Sequence, residues 1–277
     1  DAAAMAQRLV TGPANNQVGS AGDDDFTVDN GGDTIVEGAN QGTDTVHTWV
    51  SYQLPDNVEN LVANGYINID LWGNSGDNIL IGNSGNNRLT GGGGRDLLIG
   101  GDGDDYFYGA ATASGSGSTI SRYEGGPGND TYDMASGTGW TVVELPDGGI
   151  DTLISGAGEI PDNVENLVST TKSIYKITIK GNANDNVIHA REGDIVDGLA
   201  GADTIIFSHS PYGPRYYWPG QGEIDGSTAY VDNPGDRVSG GGLDTRVIAS
   251  IDRVLDDGLG ILQLAERSAA RVGSGNA

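Results

Sequence analysis

Apolar residues recur at a fixed nine-residue interval between positions 73 and 108. This stretch divides into the units 73–81, 82–90, 91–99 and 100–108, whose eighth residues are Leu80, Leu89, Leu98 and Phe107. Nine residues are enough for one tight turn and one short strand, but too few for a helix with its loop. The interval therefore predicts short strands whose eighth residues share one core. A flexible Gly/Ser linker, which is the alternative, has no reason to keep this spacing.

Runs rich in Thr, Val and Ile outside this array predict further strands within a longer internal repeat. In the first copy we predict strands over residues 26–28, 34–36, 45–50 and 57–62. Residues 54–62 recur almost letter for letter as residues 160–168. The repeat predicts three sections: copy one over 1–110 (including the 73–108 array), copy two over 111–210, and an aromatic insert with a truncated third copy over 211–277.

The stretch 251–272 contains helix-forming residues, but its place in the repeat predicts strands. Residues 255–264 align with residues 54–63 of the first copy, and Gly258 and Gly260 would interrupt a helix. Partial copies of the repeat stand at both ends of the sequence. From them we expect the chain to be part of a longer repetitive protein.

The composition favours a solenoid with a thin core over one large globular core. Of 277 residues, 47 are Gly, and only 36% are hydrophobic and 6% aromatic. The formal net charge of -25 argues against nucleic acid as a partner, and it predicts self-repulsion until the carboxylates are neutralised. The sequence has no cysteine to form disulfide bonds and no apolar run long enough to span a membrane.

The sixth residue of each array unit carries a side-chain oxygen, at Asn78, Asn87, Asp96 and Asp105. Gly-rich turns let backbone carbonyls crowd together, and Ca²⁺ takes about six to eight oxygen ligands. We predict these four residues as Ca²⁺ ligands for several ions, together with further candidates in comparable turns at Asp24, Asp130, Asn186 and Asp203. Asn keeps an oxygen but removes charge, so we expect its sites to bind more weakly. The alternative is an Asx-turn that closes the strand without a metal.

The last two units of the array fit G-G-x-G-x-D-x-U-x at every fixed position, and here the chain resembles the RTX, or hemolysin-type calcium-binding repeat, family. The resemblance implies an all-β fold, a right-handed parallel β-roll or β-solenoid, whose turns bind Ca²⁺. It also implies that two units form one coil, so that residues eighteen apart stack, Asn78 with Asp96 and Asn87 with Asp105. Relatives in this family typically leave the cell by type I secretion, which implies a secreted, extracellular or cell-surface protein.

The sequence offers little support for catalysis. His47, His189 and His209 stand in unrelated contexts, without an H-E-x-x-H motif or a nucleophile elbow. One segment, 209–219, departs from the repeat. Its residues Arg215, Tyr216, Tyr217 and Trp218 predict a contact with a glycan or a protein partner. The same residues fit equally well a rigid loop that covers a sheet edge.

These observations predict a non-catalytic, calcium-dependent structural or adhesive segment of a secreted protein. In this interpretation the chain is disordered by charge repulsion where Ca²⁺ is scarce and folds after export, where Ca²⁺ is plentiful. Surface-layer, matrix and adhesin roles all fit. The alternative is a carbohydrate-binding or accessory module of a larger secreted polysaccharide-modifying enzyme of the epimerase or lyase type, with its catalytic domain outside this sequence.

Overall fold

The computed structural model describes residues 12–109, 120–134, 139–156, 158–170, 177–191, 194–208, 228–231, 237–240, 246–249 and 261–264. All regular secondary-structure elements in these residues are β-strands. The chain divides into two compact units, Asp1–Gly149 and Ile150–Ala277. The section boundaries that the internal repeat predicts at residues 110 and 210 stay a prediction.

The first unit places alternate strands in two parallel sheets. In its described residues the strands are β1 (Asn16–Val18), β2 (Asp25–Val28), β3 (Thr34–Val36), β4 (Thr45–Thr48), β5 (Tyr52–Gln53), β6 (Asn60–Ala63), β7 (Asp70–Trp72), β8 (Ile79–Ile81), β9 (Arg88–Thr90), β10 (Leu97–Ile99), β11 (Tyr106–Tyr108), β12 (Ser121–Glu124), β13 (Thr131–Met134) and β14 (Trp140–Val143). One sheet has the order β2-β4-β6-β8-β10-β12-β14, a second contains β5-β7-β9-β11-β13, and β1 pairs with β3. The chain therefore winds from one sheet to the other and back, which is a β-solenoid.

The array shows why these short segments form strands. The middle residue of each, Leu80, Leu89, Leu98 or Phe107, is completely buried. In β11 and β12, which belong to different sheets, the Phe107 and Tyr123 rings meet edge to face with centroids 6.0 Å apart. A three-residue strand cannot be stable alone, so burial between the sheets stabilises it. The shared core predicted from the nine-residue interval is confirmed.

Within the 73–108 array, the register between neighbouring coils is eighteen residues. Leu98 in β10 is paired with Leu80 in β8, and Phe107 in β11 is paired with Leu89 in β9. Two nine-residue units thus form one coil, as the RTX resemblance implies. Turns from successive coils are consequently stacked along each edge of the sheets.

The second unit repeats this arrangement. Its strands are β15 (Thr152–Ser155), β16 (Asn166–Ser169), β17 (Thr178–Lys180), β18 (Val187–Arg191), β19 (Ile195–Asp197), β20 (Thr204–Ser208), β21 (Thr228–Val231), β22 (Arg237–Gly240), β23 (Arg246–Ala249) and β24 (Ile261–Leu264). Strands β15-β16-β18-β20-β22 pair in that order, as do β17-β19-β21-β23-β24. Strand β24 lies in the stretch 251–272, where the repeat predicted strands rather than a helix; the rest of that stretch is outside the described residues.

Two predicted strand boundaries in the first copy are wrong. The strand predicted over 57–62 begins only at Asn60, because Asn57 lies in a turn with φ of 65°. The strand predicted over 45–50 ends at Thr48, whose hydroxyl donates to Val50 O at 2.6 Å and so turns the chain. In the described residues no helix is long and apolar enough to cross a membrane.

Candidate metal centre

The sixth-position side chains of the turns are buried, although they are polar or charged. Exposed fractions are 4% or less for Asn78, Asn87, Asp96, Asp105, Asp130, Asn186 and Asp203. Asp24 is only partly buried. Carboxylates are seldom buried unless a cation or several hydrogen-bond donors compensate for the lost water. What surrounds each oxygen therefore indicates which of these turns suits a metal.

One oxygen of each buried Asp links its turn to the neighbouring coil. Asp96 Oδ1 accepts a hydrogen bond from Asn78 N at 3.0 Å, and Asp105 Oδ1 accepts one from Asn87 N at 2.7 Å. Asp130 Oδ1 accepts from Asp105 N at 2.7 Å. In the second unit Asp203 Oδ1 accepts from Asn186 N at 2.9 Å. The first two pairs are the ones that the eighteen-residue stacking predicts, whereas the other two are 25 and 17 residues apart.

The other oxygen of Asp105 lies near a backbone carbonyl oxygen of the next coil. Asp105 Oδ2 is buried and has no hydrogen-bond partner. A Cβ atom added to Gly100 would overlap Asp105 Oδ2 and come within 2.9 Å of Gly125 O. The absence of a side chain at Gly100 therefore lets a carboxylate oxygen and a carbonyl oxygen of the next coil both approach this position. Oxygen ligands of these two kinds are those that Ca²⁺ prefers, so the residues present fit this ion.

Burial also raises the pKa values of the two central carboxyl groups. Loss of water raises the pKa of Asp96 to about 6, against a lowering by the hydrogen bond from Asn78, and the charge of Asp77 raises it further. Burial raises the pKa of Asp105 to about 7, against the hydrogen bond from Asn87, with Asp104 and Asp102 adding to the increase. Without a cation, these two carboxyl groups therefore take up protons at a higher pH than an exposed Asp does.

The turns with Asn at the sixth position have a different arrangement. Asn78 Nδ2 donates to Val58 O at 3.3 Å and to Glu59 O at 3.2 Å, both in the preceding coil. Asn87 Nδ2 donates in the same way to Ile69 O at 3.0 Å. In the second unit Asn186 Nδ2 donates to Val164 O and Glu165 O, both at 3.2 Å. The Asn amide group therefore satisfies carbonyls on its upstream side without a metal.

Only the downstream side of these Asn residues offers an oxygen. A Cβ atom added to Gly73 would overlap Gly91 O and come within 2.5 Å of Asn78 Oδ1, which already accepts from Asn74 N at 2.8 Å. An Asn turn can thus supply one neutral side-chain oxygen toward the next coil. As Ca²⁺ ligands, Asn78, Asn87 and Asn186 stay predictions.

Sequence reasoning missed two carboxylates that approach Asp24. Glu37 and Asp44 each place a carboxylate oxygen near Asp24, with all three ligand atoms within 4.8 Å of one another. Asp44 belongs to a turn that has lost its leading glycines, and Glu37 belongs to no turn motif. The internal repeat could have indicated these two acids, because acidic residues recur at the equivalent positions Glu144 and Asp151.

The other candidate residues show no catalytic grouping in the described part of the chain. His47 is partly exposed and lies 3.8 Å from the exposed Asp25 carboxylate, and His189 is exposed on β18. His209 and the predicted contact residues Arg215, Tyr216, Tyr217 and Trp218 lie outside the described residues. Their predicted role in binding a glycan or protein stays a prediction.

Comparison with known proteins identifies the repeat. The family model of the RTX calcium-binding nonapeptide repeat matches four copies, over residues 72–107 and 178–205. Among curated proteins, the endo-1,3-1,4-beta-glycanases EglC and ExsH of Rhizobium meliloti (strain 1021) are 40% and 41% identical to the chain over 63 residues. Each match covers 23% of this chain and 13% of the relative. No solved structure matches the chain significantly.

Proposed function

Because the chain carries RTX calcium-binding nonapeptide repeats, which bind Ca²⁺, we propose that it is a structural or adhesive segment of a larger secreted protein and folds on binding Ca²⁺. The observation that carries this proposal is the buried Asp105 Oδ2, which has no hydrogen-bond partner and lies near a carbonyl oxygen of the next coil. The net charge of -25 supports it, because bound cations relieve both the local and the overall repulsion.

The proposed mechanism assigns separate tasks to the turn residues. Asp96 and Asp105 hold the ions with their Oδ2 oxygens, together with first-position carbonyls such as Gly125 O. Their Oδ1 oxygens hold the neighbouring coil through its backbone amides. A bound Ca²⁺ neutralises the carboxylates and joins successive turns. The remaining proposed ligands are Asn78, Asn87, Asp24, Asp130, Asn186 and Asp203.

Calcium titration of the full chain tests this mechanism. We expect circular dichroism to show a loss of β-structure with excess EDTA and its recovery with CaCl₂, but not with the same concentration of MgCl₂. Each site at a free Ca²⁺ concentration a hundred times its dissociation constant stabilises the folded state by about 2.7 kcal/mol. A spectrum and melting temperature indifferent to EDTA would contradict calcium-dependent folding.

An extracellular location fits the same chemistry. Ca²⁺ is abundant outside cells, where modules of low affinity can still be saturated. A chain without cysteine also needs a stabilising element other than disulfide bonds. A secreted protein that stays unfolded until it meets Ca²⁺ would suit export as an unfolded chain.

A second candidate function is an accessory module of a larger polysaccharide-acting enzyme, favoured by the similarity to the two glycanases. The aromatic segment is then the contact for the polysaccharide. In this case a Tyr216→Ala/Tyr217→Ala/Trp218→Ala variant should lose binding on a glycan array, while the control Tyr66→Ala, at a tyrosine that is 50% exposed, should retain it. Equal absence of binding by wild type and variant would reject this candidate.

A further inference from the structure

We propose that Asp24, Glu37 and Asp44 form an additional Ca²⁺ site outside the nonapeptide repeats. The three residues precede position 72, where the first match to the repeat family begins. Asp24 lies just before β2, and Glu37 and Asp44 lie at the two ends of the connection between β3 and β4. Each offers one carboxylate oxygen, and these oxygens lie within 4.8 Å of one another. The proposal is independent of the structural or adhesive role, because it concerns ion binding alone.

Two of the carboxylates are buried and have an oxygen without a hydrogen-bond partner. Asp44 is 1% exposed and Glu37 is 8% exposed. Asp44 Oδ2 and Glu37 Oε2 make no hydrogen bond. Among the described residues, the ion pairs of Lys, Arg and His involve other acids, so no basic side chain neutralises these two carboxylates. A cation is the partner that this arrangement lacks.

The remaining oxygens hold the carboxylates in place. Asp44 Oδ1 accepts from Asp24 N at 2.9 Å, and Glu37 Oε1 accepts from Gly38 N at 2.8 Å. Asp24 Oδ2 accepts from Ser20 N at 2.6 Å. Each carboxylate is therefore oriented by a backbone amide. Asp44 can direct its second oxygen to an ion as Asp105 does in the array.

Glu37 takes the position that a backbone carbonyl occupies in the array. A Cβ atom added to Gly73 would overlap Gly91 O from the next coil, whereas one added to Gly19 would overlap Glu37 Oε2. Gly19 and Gly73 are the first residues of comparable turns. A carboxylate thus replaces a neutral carbonyl beside the glycine. The extra negative charge favours a divalent cation at this site more strongly than in an array turn.

The equivalent turn later in the first unit shows the same substitution. A Cβ atom added to Gly125 would overlap both Asp130 Oδ2 and Glu144 Oε1. In sequence, Asp130, Glu144 and Asp151 are the counterparts of Asp24, Glu37 and Asp44. The glutamate lies beside the first glycine of the turn in both copies. Its position is therefore a feature of the internal repeat.

Counting bound Ca²⁺ tests this site. In equilibrium dialysis of the full chain with ⁴⁵Ca²⁺, a Glu37→Gln/Asp44→Asn variant should bind one ion fewer than wild type. Asp25→Asn is the matched control, because it removes a charge next to Asp24 from a side chain that is 83% exposed, and it should bind the wild-type number. An unchanged ion count and affinity in the Glu37→Gln/Asp44→Asn variant would overturn the proposal.

A second measurement tests the site if the double variant folds poorly. Glu37→Gln alone keeps the oxygen that accepts from Gly38 N, and it should weaken one class of sites about tenfold. Amide hydrogen exchange in β4 should slow on Ca²⁺ addition in wild type, since Thr45 N donates to Asp24 O at 2.9 Å. The Ca²⁺ concentration at which half of this slowing occurs should rise about tenfold in Glu37→Gln. The same concentration in Glu37→Gln and in wild type would also overturn the site, whatever an Asp96→Asn/Asp105→Asn variant shows about calcium-dependent folding.

Discussion

Replacing Gly101 with alanine is expected to lower the free energy of unfolding by about 3 kcal/mol. Gly101 has φ of 111°, a conformation that residues with a side chain rarely adopt. A Cβ atom at this position would also overlap Asn83 O in the preceding coil. The backbone would have to change conformation and the two coils would have to separate. Urea unfolding in saturating Ca²⁺, followed by circular dichroism, measures this loss.

Gly22→Ala is the matched control for this prediction. Gly22 also belongs to a turn of the first unit, but a Cβ atom added there meets no heavy atom within 4 Å. Its replacement should change the free energy of unfolding by less than about 1 kcal/mol, and it can even stabilise the protein by restricting the unfolded chain. Unfolding of Gly101→Ala at the same urea concentration as Gly22→Ala would show that the coils are not packed as closely as described.

Acidifying the calcium-free protein from pH 7.5 to pH 4 is expected to stabilise its folded state. Burial raises the pKa of Asp96 to about 6 and of Asp105 to about 7, above the ordinary value of 3.8. The folded state therefore binds protons more readily than the unfolded state between these values. This contribution is present in full below pH 4 and is lost as the pH rises through 6 to 7. Its size is about 4 kcal/mol for both groups together, taking half of about 1.36 kcal/mol per pKa unit because solvent screens part of the effect.

Saturating Ca²⁺ should reverse this trend. In the proposed mechanism the ion binds the ionised carboxylates, so protons compete with it and stability should fall as the pH drops from 7 to 5. The folded fraction by circular dichroism at each pH in EDTA, and urea unfolding at each pH in CaCl₂, measure the two slopes. The control Asp96→Asn/Asp105→Asn should show a much smaller slope in both conditions. A wild-type slope in EDTA equal to that of this variant would mean that the two carboxyl groups do not titrate as described.

Several features of the calcium turns could be predicted from the sequence because they depend on residues close together in the chain. The nine-residue interval predicted the buried positions of Leu80 and Leu98, and the resemblance to the RTX family implied that they stack eighteen residues apart. The start of β6 could not be predicted in this way. Asn57 belongs to a segment of strand-like composition, yet its positive φ places it in a turn.

The two roles of the sixth-position residues also required the structure. Asp and Asn both offer an oxygen, so the sequence alone treats Asn78 and Asp96 as variants of one ligand. In the folded chain Asn78 Nδ2 donates to carbonyls of the preceding coil, while Asp96 Oδ1 accepts the amide of Asn78. Which backbone carbonyls face the Asn78 side chain depends on the path of the preceding coil, and the local sequence does not determine that path.

The sequence by itself determined the repeating turn-and-strand unit, its apolar core positions and its suitability for Ca²⁺. These properties depend on the conformational freedom of glycine and on an apolar residue at every ninth position, and both can be read within one unit. Only the tertiary structure decided that Glu37 and Asp44 approach Asp24. The physical reason is that the winding of the solenoid places side chains of different coils at the same edge, where a hard cation requires ligands from several directions at once.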